Sequence, residues 1–444
     1  MENLKELAEL ILPEGILEYF EYTGYETIEK EITISLVEKN KVPQLPDKYR
    51  DRRIRQKGFK QITINDFPIR GKKVRLLLRR RVWQIEGETE LYKKEIPSQI
   101  FPGTKLSKDF ADFLKEEIEK RPIEISTVAR ANKLKANTLE KQYKNVLSTY
   151  SQFKRDQREQ ISKESFVYPE NFREDMAIDE TGLINGELYT IVINKTAKGK
   201  KGSLAAIIKG TKSSIITREI TESVGFEKLV KIKEITLDLS NSMDWSVRQI
   251  APNGIHTYDR FHVQKIVSDA VQTLRIRLRW QAIEEENEAL LKAKELKVKY
   301  ESKVFRNGDS RKQLLARSRY FLFKPSNKWT DTQRQTSEIL FKEYPELLES
   351  YNLSMYFRNC YENKNKTNSF EQWIKKVETT SLREMKIAAE TIKRNLGGIK
   401  NYFHNRATNA AIESFHSKLK LFRQRIRGVV DKDYFFFRII QYFA

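Results

Sequence analysis

Short apolar runs, bounded by charged residues or glycines, recur between residues 174 and 260 and predict β-strands. They are EDMAIDETG (174–182), ELYTIVINK (187–195), GSLAAIIKG (202–210), KEITLDLS (233–240) and GIHTYDR (254–260). Helical spacing near Thr217–Lys231 and from Ser242 onward predicts a helix on either side of the fourth strand. The predicted order is βββαβαβ, and a turn at Lys198–Gly202 predicts an antiparallel hairpin of the second and third strands.

The N-terminal part of the chain has a different pattern. Residues 62–83 alternate like two strands around the turn Ile69–Lys72. Further on, two short helices joined at Leu134–Asn137 suggest a helix-turn-helix whose second helix would enter a DNA major groove, although helix pairs occur in many folds. The polar stretch 151–165 is expected to be a linker or a long exposed helix.

After the predicted strands, residues 264–400 read as almost entirely helical, and a last helix, Arg406–Arg427, precedes an aromatic tail. Three antiparallel strands, a helix and a fourth strand resemble the opening of the RNase H-like fold, in which the first and fourth strands lie side by side. We therefore expect a mixed α/β protein. Its RNase H-like domain would follow a small α+β region and the helix-turn-helix.

Charge narrows the function classes. The 83 Lys and Arg residues exceed the 61 Asp and Glu residues, for a formal charge of +22. A surplus of this size is typical of proteins that bind nucleic acid, the ribosome or an anionic membrane, with a merely soluble basic protein as the alternative. The single cysteine, Cys360, excludes an internal disulfide and a Cys-rich zinc site, and it fits a reducing cytosol. No apolar run approaches the ~20 residues that cross a bilayer, so we expect no membrane partner.

Two acids mark the chemistry. Asp179 is expected at the C-terminal end of the first strand, and Asp238 at the end of the strand after the first helix. If these strands are neighbours, the two carboxylates lie within a few ångströms of each other. Two carboxylates that close repel unless a cation lies between them. Oxygen ligands favour Mg²⁺ or Mn²⁺, so the pair predicts a divalent metal site.

Other acids compete for these roles. Asp175 and Glu180 flank Asp179, and strand alternation would turn Glu180 to the opposite face. Asp244 lies one turn into a helix, where it would cap that helix. Asp259 and His262, in TYDRFHVQK, are either ligands or a general acid–base pair, or else Asp259 caps the next helix and His262 is satisfied locally. The sequence leaves these interpretations open.

A third acid should come from a helix packed on the sheet, and Glu413 in NRATNAAIESFHSKLK is the best candidate. It shares one helix face with Asn409, His416, Ser417 and Lys420. The alternative is a surface salt bridge, the usual role of an acid in a basic helix. Two metal ions held roughly 3.5–4 Å apart would suit phosphodiester chemistry.

Basic residues near the N-terminus are candidates for DNA contact. The run Arg79, Arg80 and Arg81 would contact phosphates or, alternatively, protect a solvated strand edge. On the expected recognition helix, the candidates are Asn137, Lys141 and Lys144.

Several motifs together resemble bacterial insertion-sequence transposases of the ISL-three group. They are AIDE (177–180), ITLDLSNSM (235–243), DRFHVQK (259–265), NGDSRKQLLARSRYFLF (307–323) and NRATNAAIESFHSKLKLFRQRIRGVVD (405–431). The variety found in Bacteroidetes, called ISAon-type, is the most similar. The similarity covers residues 170–444, and PEGILEYFE (13–21) and FPIRGKKV (67–74) also resemble that group's N-terminal region.

This resemblance implies a DDE catalytic triad of Asp179, Asp238 and Glu413 holding two Mg²⁺ or Mn²⁺ ions. It also implies that Asp259 and His262 support the site or contact DNA near it, and that Trp280 and Trp329 stack on a flipped base or, alternatively, belong to the core. The further supporting or DNA-contacting candidates are Arg260, Asn409, His416, Lys420, Arg423 and Arg427. One departure is clear: residues 79–95 lack the cysteines of the group's zinc ribbon, so we expect no zinc.

The expected protein is a DNA transposase that binds terminal inverted repeats, cleaves DNA and transfers its ends to a target, as a dimer in the bacterial cytoplasm on the nucleoid. The alternatives are a catalytically silent DNA-binding repressor or architectural protein, and an RNase H-like structure-specific nuclease. The expected divisions are an N-terminal DNA-binding region, a helix-turn-helix with linker, the first catalytic part, an all-α insertion and a catalytic C-terminal helix with tail. They span 1–120, 121–165, 166–270, 271–400 and 401–444.

Overall fold

A computed structural model describes residues 8–45, 47–94, 99–120, 122–362, 369–426 and 429–444. Its first sheet follows a short helix, α1 (Ile16–Tyr19). The strands are β1 (Phe20–Ile28), β2 (Glu31–Glu38), β3 (Ile54–Ile69), β4 (Lys72–Ile85) and β5 (Leu91–Tyr92). They lie in the order β1-β2-β4-β3, and β5 pairs with β4.

The hairpin of β3 and β4 turns where the sequence predicts it. Ile69 pairs with Lys72, and both turn residues have positive φ, 49° at Arg70 and 75° at Gly71. Positive φ at both positions is the geometry that fits the twist of two antiparallel strands. One face of this sheet is buried through alternate apolar residues of β2, β3 and β4, among them Leu36, Ile64 and Leu76.

A helical unit follows the first sheet. Its members are α2 (Lys108–Glu119), α3 (Ile125–Ala131), α4 (Ala136–Gln142), a π-helical turn (Tyr143–Leu147), α5 (Tyr150–Asp156) and α6 (Arg158–Lys163). The two predicted short helices correspond to α3 and α4, whereas the polar stretch 151–165 forms two short helices rather than one long one. Phe110 and Leu114 of α2 share one hydrophobic cluster with Leu139 and Tyr143, so α2 packs with the helices that follow it.

The second sheet contains the strands that the sequence predicts. They are β6 (Ser165–Val167), β7 (Asp175–Ile184), β8 (Glu187–Asn194), β9 (Leu204–Lys209), β10 (Glu234–Leu237) and β11 (Ile255–Tyr258), in the spatial order β11-β10-β7-β8-β9-β6. Strands β7, β8 and β9 are antiparallel neighbours, whereas β10 and β11 run parallel to β7. The connecting helices are α7 (Ser213–Val224), α8 (Phe226–Leu229) and α9 (Asn241–Ile250). The single helix expected over 217–231 is instead interrupted at Gly225, where φ is 79°.

The position of Asp179 within its strand differs from the expectation. Strand β7 does not end there but continues to Ile184, because β8 pairs with it along this whole length, up to Glu187. Strand β10 pairs only with the first part of β7, where Thr236 lies opposite Ala177. The acid is therefore in mid-strand, at the level where the neighbouring strand ends.

Long helices cover one face of the second sheet. They are α10 (Arg260–Glu295), α11 (Arg311–Arg317), α12 (Asp331–Glu343), α13 (Pro345–Cys360), α14 (Ser369–Glu378), α15 (Arg383–Arg394) and α16 (Leu396–Asn405). Their apolar side chains form one continuous core with this face of the sheet. Helix α16 runs so close to β11 that a Cβ at Gly398 would overlap the Tyr258 ring.

Two helices cover the opposite face, α17 (Ala410–Arg425) and α18 (Lys432–Phe443). The aromatic tail is thus a helix, because Phe435, Phe436 and Ile439 pack on the sheet at helical spacing. Phe437, on another side of α18, joins the core of the helical unit. Among the residues described, no helix is long and apolar enough to cross a membrane.

Candidate active site

Asp179 and Asp238 lie side by side on the second sheet. Asp238 follows the last residue of β10, which brings its carboxyl group level with Asp179 on β7. Burial and the neighbouring Asp238 carboxylate raise the pKa of Asp179 to about 7. The backbone N–H of Glu180 donates a 2.7 Å hydrogen bond to Asp179 Oδ1 and partly offsets this effect. The two acids therefore form an electrostatically strained pair.

Asp259 and His262 adjoin this pair. The Asp259 carboxylate caps α10, because it accepts hydrogen bonds from the backbone N–H groups of Phe261 (2.9 Å) and His262 (3.3 Å). The helix-cap interpretation of Asp259 is therefore confirmed. The residue also contacts the site, since His262 Nδ1 lies 3.2 Å from Asp259 Oδ2 and 3.0 Å from Asp238 Oδ1.

These contacts set the charge of the His262 ring. Hydrogen bonds to Asp238 and then to Asp259 raise the pKa of His262 to about 10, so the ring is a cation at neutral pH. Burial alone would raise the pKa of Asp259. Hydrogen bonds from the His262 ring and from backbone N–H groups outweigh burial and lower it. The His262 cation thus bridges the carboxyl groups of Asp238 and Asp259 and fixes the orientation of Asp238.

Helix α17 contacts both aspartates of the pair. Asn409, at the N-terminus of the helix, is fully buried. The side-chain Nδ2 of Asn409 donates to Asp238 Oδ1 at 2.7 Å, and its backbone N–H donates to Asp259 Oδ1 at 3.0 Å. Two turns later, His416 Nδ1 lies 3.4 Å from Asp179 Oδ2. Burial, together with the nearby Lys420 cation, lowers the pKa of His416 to about 4, so this ring is neutral. The helix is therefore held against β7 and β10 at two points.

Glu413 lies between these two contact points. It is one helical turn after Asn409 and almost one turn before His416, and its side chain is exposed. Within the described residues, its carboxylate makes no hydrogen bond or ion pair with Asp179 or Asp238. Glu413 is therefore an exposed residue on the helix whose Asn409 and His416 contact the two aspartates.

The donor set has the character of a divalent-cation site. Two carboxylates converge, and a cation between them would relieve the repulsion that raises the pKa of Asp179. Asn409 Oδ1 and His416 Nε2, on the helix that carries Glu413, are buried and have no hydrogen-bond partner. Across the described part of the chain, no three His, Cys, Asp or Glu side chains converge in a ready-made metal site. The two aspartates, together with Asn409 Oδ1 and His416 Nε2, therefore supply donor atoms whose chemistry suits a divalent cation.

The remaining candidate residues near the site differ in whether their side chains already contact other parts of the protein. Arg423 donates a 2.7 Å hydrogen bond to the backbone carbonyl of Leu183, and Arg260 stacks on Tyr361 with its guanidinium 5.0 Å from the ring centre. Lys420 is exposed on the same helix. Arg427 lies outside the described residues.

The N-terminal arginines are engaged within the first sheet. Strand β4 pairs with β2 as far as Arg79 and with β3 along all three arginines, so Arg79 lies between two strands, whereas Arg80 and Arg81 pair with β3 on one side. Arg79 stacks on the Phe59 ring at 4.8 Å, Arg80 pairs with Glu38 at 3.5 Å, and Arg81 donates to the backbone carbonyl of Glu38 at 2.9 Å. These contacts leave the arginines half-buried.

On the predicted recognition helix, Asn137 and Lys141 are exposed, whereas Lys144 is not free. Lys144 forms an ion pair with Asp431 and lies over the rings of Tyr150 and Tyr434. Sequence reasoning missed the role of Asp431, because the two residues are far apart in the chain and no local pattern joins them.

The competing acids and the tryptophans separate clearly. Asp244 accepts a hydrogen bond from the Tyr258 hydroxyl and pairs with Arg248 at 2.8 Å, whereas Ser240 caps the helix in its place. Glu180 is half-buried, and burial and then Asp238 raise its pKa.

Trp329 lies in the core, where its Nε1 donates to the Phe321 carbonyl, so it is not available to stack on a base. Trp280, by contrast, is 57% exposed.

The chain is strongly basic, and its second sheet brings two aspartates together at adjacent strand positions. This arrangement is expected of an enzyme that processes nucleic acid. Residues 176–439 match a family model that is described as a transposase, of the DDE class and the ISL-three type. The matched range includes Asp179, Asp238, Asp259 and Glu413. The chain therefore belongs to the ISL-three family of transposases. No curated protein matches it.

Proposed function

We propose that this protein is an active DDE transposase of the ISAon-type variety, which cleaves DNA at element ends and transfers the ends to target DNA. The observation that carries the proposal is the apposition of Asp179 and Asp238 on neighbouring strands, because phosphodiester chemistry with two metals requires carboxylates there. The family match supports the same class of reaction.

We also propose an RNase H-like catalytic domain. The spatial order β9-β8-β7-β10-β11, with the first three strands antiparallel and the last two parallel to β7, supports this assignment. Helices α10 to α16 would then be an insertion before the helix that carries Glu413. For the domain divisions, the cluster shared by α2 and α4 favours a first boundary before α2 rather than at residue 120.

In this proposal, Asp179, Asp238 and Glu413 hold two Mg²⁺ or Mn²⁺ ions. Such ions, when bound, activate the attacking oxygen and stabilise the leaving oxygen. The contribution of the protein is positional: His262 and Asn409 keep Asp238 in one orientation, and His416 faces Asp179. Asn409 also binds Asp259, so the start of α17 is held beside both aspartates, and Glu413 lies one helical turn further along this helix.

The proposed partner is double-stranded DNA, both the terminal inverted repeats and the target. Helix α4, with Asn137 and Lys141 exposed, would enter the major groove, and exposed Trp280 would stack on a base near the cleaved end. Synapsis of two ends makes a homodimer the expected form, and a nucleoid-associated location in the bacterial cytoplasm follows from the substrate.

The test is nicking and strand transfer on a plasmid that carries the DNA flanking the gene, with Mg²⁺ present. Asp179→Asn, Asp238→Asn and Glu413→Gln are each expected to abolish the products while DNA binding persists. Glu222→Gln, at an exposed position of α7, is the matched control and should keep full activity. Full activity of Asp179→Asn would overturn the proposal.

The same assay separates the alternatives. End-specific binding by the wild-type protein without any nicking would indicate a silent repressor or architectural protein. Preferential cleavage of a Holliday junction over the element ends would indicate a structure-specific nuclease.

A further inference from the structure

A cleft of about 590 Å³ lies where the turn end of the first sheet meets the helical unit. Its walls come from the β1–β2 turn, the start of β4 and the turn between α3 and α4. The lining residues that matter are Lys30, Thr33, Gly71, Lys73 and Lys133.

The two parts that form the cleft are firmly joined. The ring of Phe67, near the end of β3, packs on Phe110 and Phe113 of α2, with ring centres 4.9 Å and 5.3 Å apart. Beside it, the Ser107 hydroxyl donates a 2.6 Å hydrogen bond to the buried carboxyl of Asp66. The turn end of the sheet is therefore packed against α2, which shares its hydrophobic core with α3 and α4.

The positive charge around the cleft is not balanced. Glu31, on the wall, is already paired with Arg75 at 2.9 Å, which leaves Glu29 as the other acid of the lining. Within the described ranges, no carboxylate lies in ion-pair distance of the surrounding basic residues, which are Lys30, Arg70, Lys72, Lys73, Lys133 and Lys135. Burial, and then the Arg75 and Lys135 cations, lower the pKa of Lys73, as expected where cations crowd together.

The cleft also lies next to the proposed recognition helix. Lys133 and Lys135 belong to the turn that leads into α4, whose Asn137 and Lys141 are exposed. A basic surface beside a helix that enters a groove lies where the DNA backbone flanking that groove would run, and backbone contacts fix the register of such a helix.

We propose that the turn end of the first sheet and the α3–α4 turn together bind the DNA sugar-phosphate backbone that flanks the groove entered by α4, with the phosphates seated over the cleft. The sheet thus acts as a second DNA-contacting element and positions the protein without reading sequence. This proposal rests on the proposed function, because it assumes that the protein binds duplex DNA.

The experiment compares two double variants of equal charge change. Lys30→Gln with Lys133→Gln removes two exposed cations of the cleft. Lys228→Gln with Lys231→Gln removes two exposed cations before β10, at the end of the sheet opposite the acid pair. Binding to a fluorescent duplex from the flanking DNA is measured from about 50 to 200 mM salt, where each lost phosphate contact reduces the slope of log K against log salt by about 0.9.

The cleft variant should lower the slope by about 1.8, which corresponds to roughly 30-fold weaker binding at about 0.15 M salt. The loss should be equal on a scrambled duplex, because backbone contacts carry no sequence information. Thermal melting should match the wild type, since both lysines are exposed.

The outcomes separate this proposal from the proposed function. Wild-type nicking together with equal slopes for the cleft and control variants overturns the backbone-binding proposal alone. A wild-type protein that binds the duplex tightly but never nicks it contradicts the proposed cleavage and leaves the cleft to be decided by the slopes. A wild-type protein that binds no duplex overturns both proposals.

Discussion

Replacing Asp179 with Asn is expected to stabilise the protein when divalent metal is removed. In the metal-free protein, the Asp179 carboxylate is buried beside Asp238, and these two effects raise its pKa to about 7 from an ordinary value of 3.8. Asn has nearly the same shape and carries no charge, so it removes the repulsion and keeps the packing.

The size and sign of this stability change follow from the linkage between folding and proton binding. The folded state binds the Asp179 proton more tightly than the unfolded state, so stability is lost as pH rises from about 4 to about 7, and the whole loss is present above pH 7. The difference between 3.8 and about 7, at about 1.36 kcal/mol per pH unit, gives an upper bound of about 4 kcal/mol. At pH 5 only about 1.6 kcal/mol of it should be present.

The assay is thermal melting of the wild type and Asp179→Asn in chelator at pH 8 and pH 5. The variant should melt higher at pH 8, and the difference should shrink at pH 5. Adding Mg²⁺ should raise the melting temperature of the wild type more than that of the variant, because a cation bound to the folded state stabilises it. Glu222→Gln should match the wild type throughout. Identical melting of the wild type and Asp179→Asn in chelator at pH 8 would refute the repulsion between the two carboxylates.

Three further outcomes test the supporting structure. Asp259→Ala should lower the free energy of unfolding by about 2–5 kcal/mol, because it removes a helix cap and leaves the buried N–H of Asn409 unpaired. Asp259→Asn should lower it less, and equal melting of the two variants would contradict this reasoning. Gly398→Ala should lower stability by about 1–3 kcal/mol through overlap with a tyrosine ring, while Gly397→Ala, in open space, should be neutral or slightly stabilising. Trp329→Ala should cost about 3–5 kcal/mol in chemical denaturation, and a small loss would contradict its place in the core.

Local patterns predicted the strands of the second sheet because each is a short apolar run between polar turns. The predicted order βββαβαβ and the hairpin of β8 and β9 are confirmed. The turn at Ile69–Lys72 is confirmed for a similar reason, since Arg70 and Gly71 suit positive φ at a tight hairpin. Where the sequence went wrong, as in the length of β7, the cause was pairing with another strand, which no local pattern records.

The candidate site shows the same division. Asp179 and Asp238 each follow or end an apolar run, and that signal is local. The apposition of His262 with Asp238, and of His416 with Asp179, depends on how α10 and α17 pack, so spacing alone could not establish it. The triad with Glu413 remains a prediction, since its carboxylate is exposed and the contacts of α17 with the aspartates come from Asn409 and His416.

The sequence by itself determined the strand and helix types, the excess of positive charge and the acids that could act, because all of these are properties of single residues or of neighbours along the chain. Only the tertiary structure decided which charges are already satisfied. Lys144 pairs with Asp431 and Arg80 pairs with Glu38. Among the residues that the structure describes, no carboxylate lies within ion-pair distance of Lys30 or Lys133, which line the cleft beside α3 and α4. The physical reason is that electrostatic interaction depends on distance and burial in space, and folding brings together residues that the chain keeps far apart.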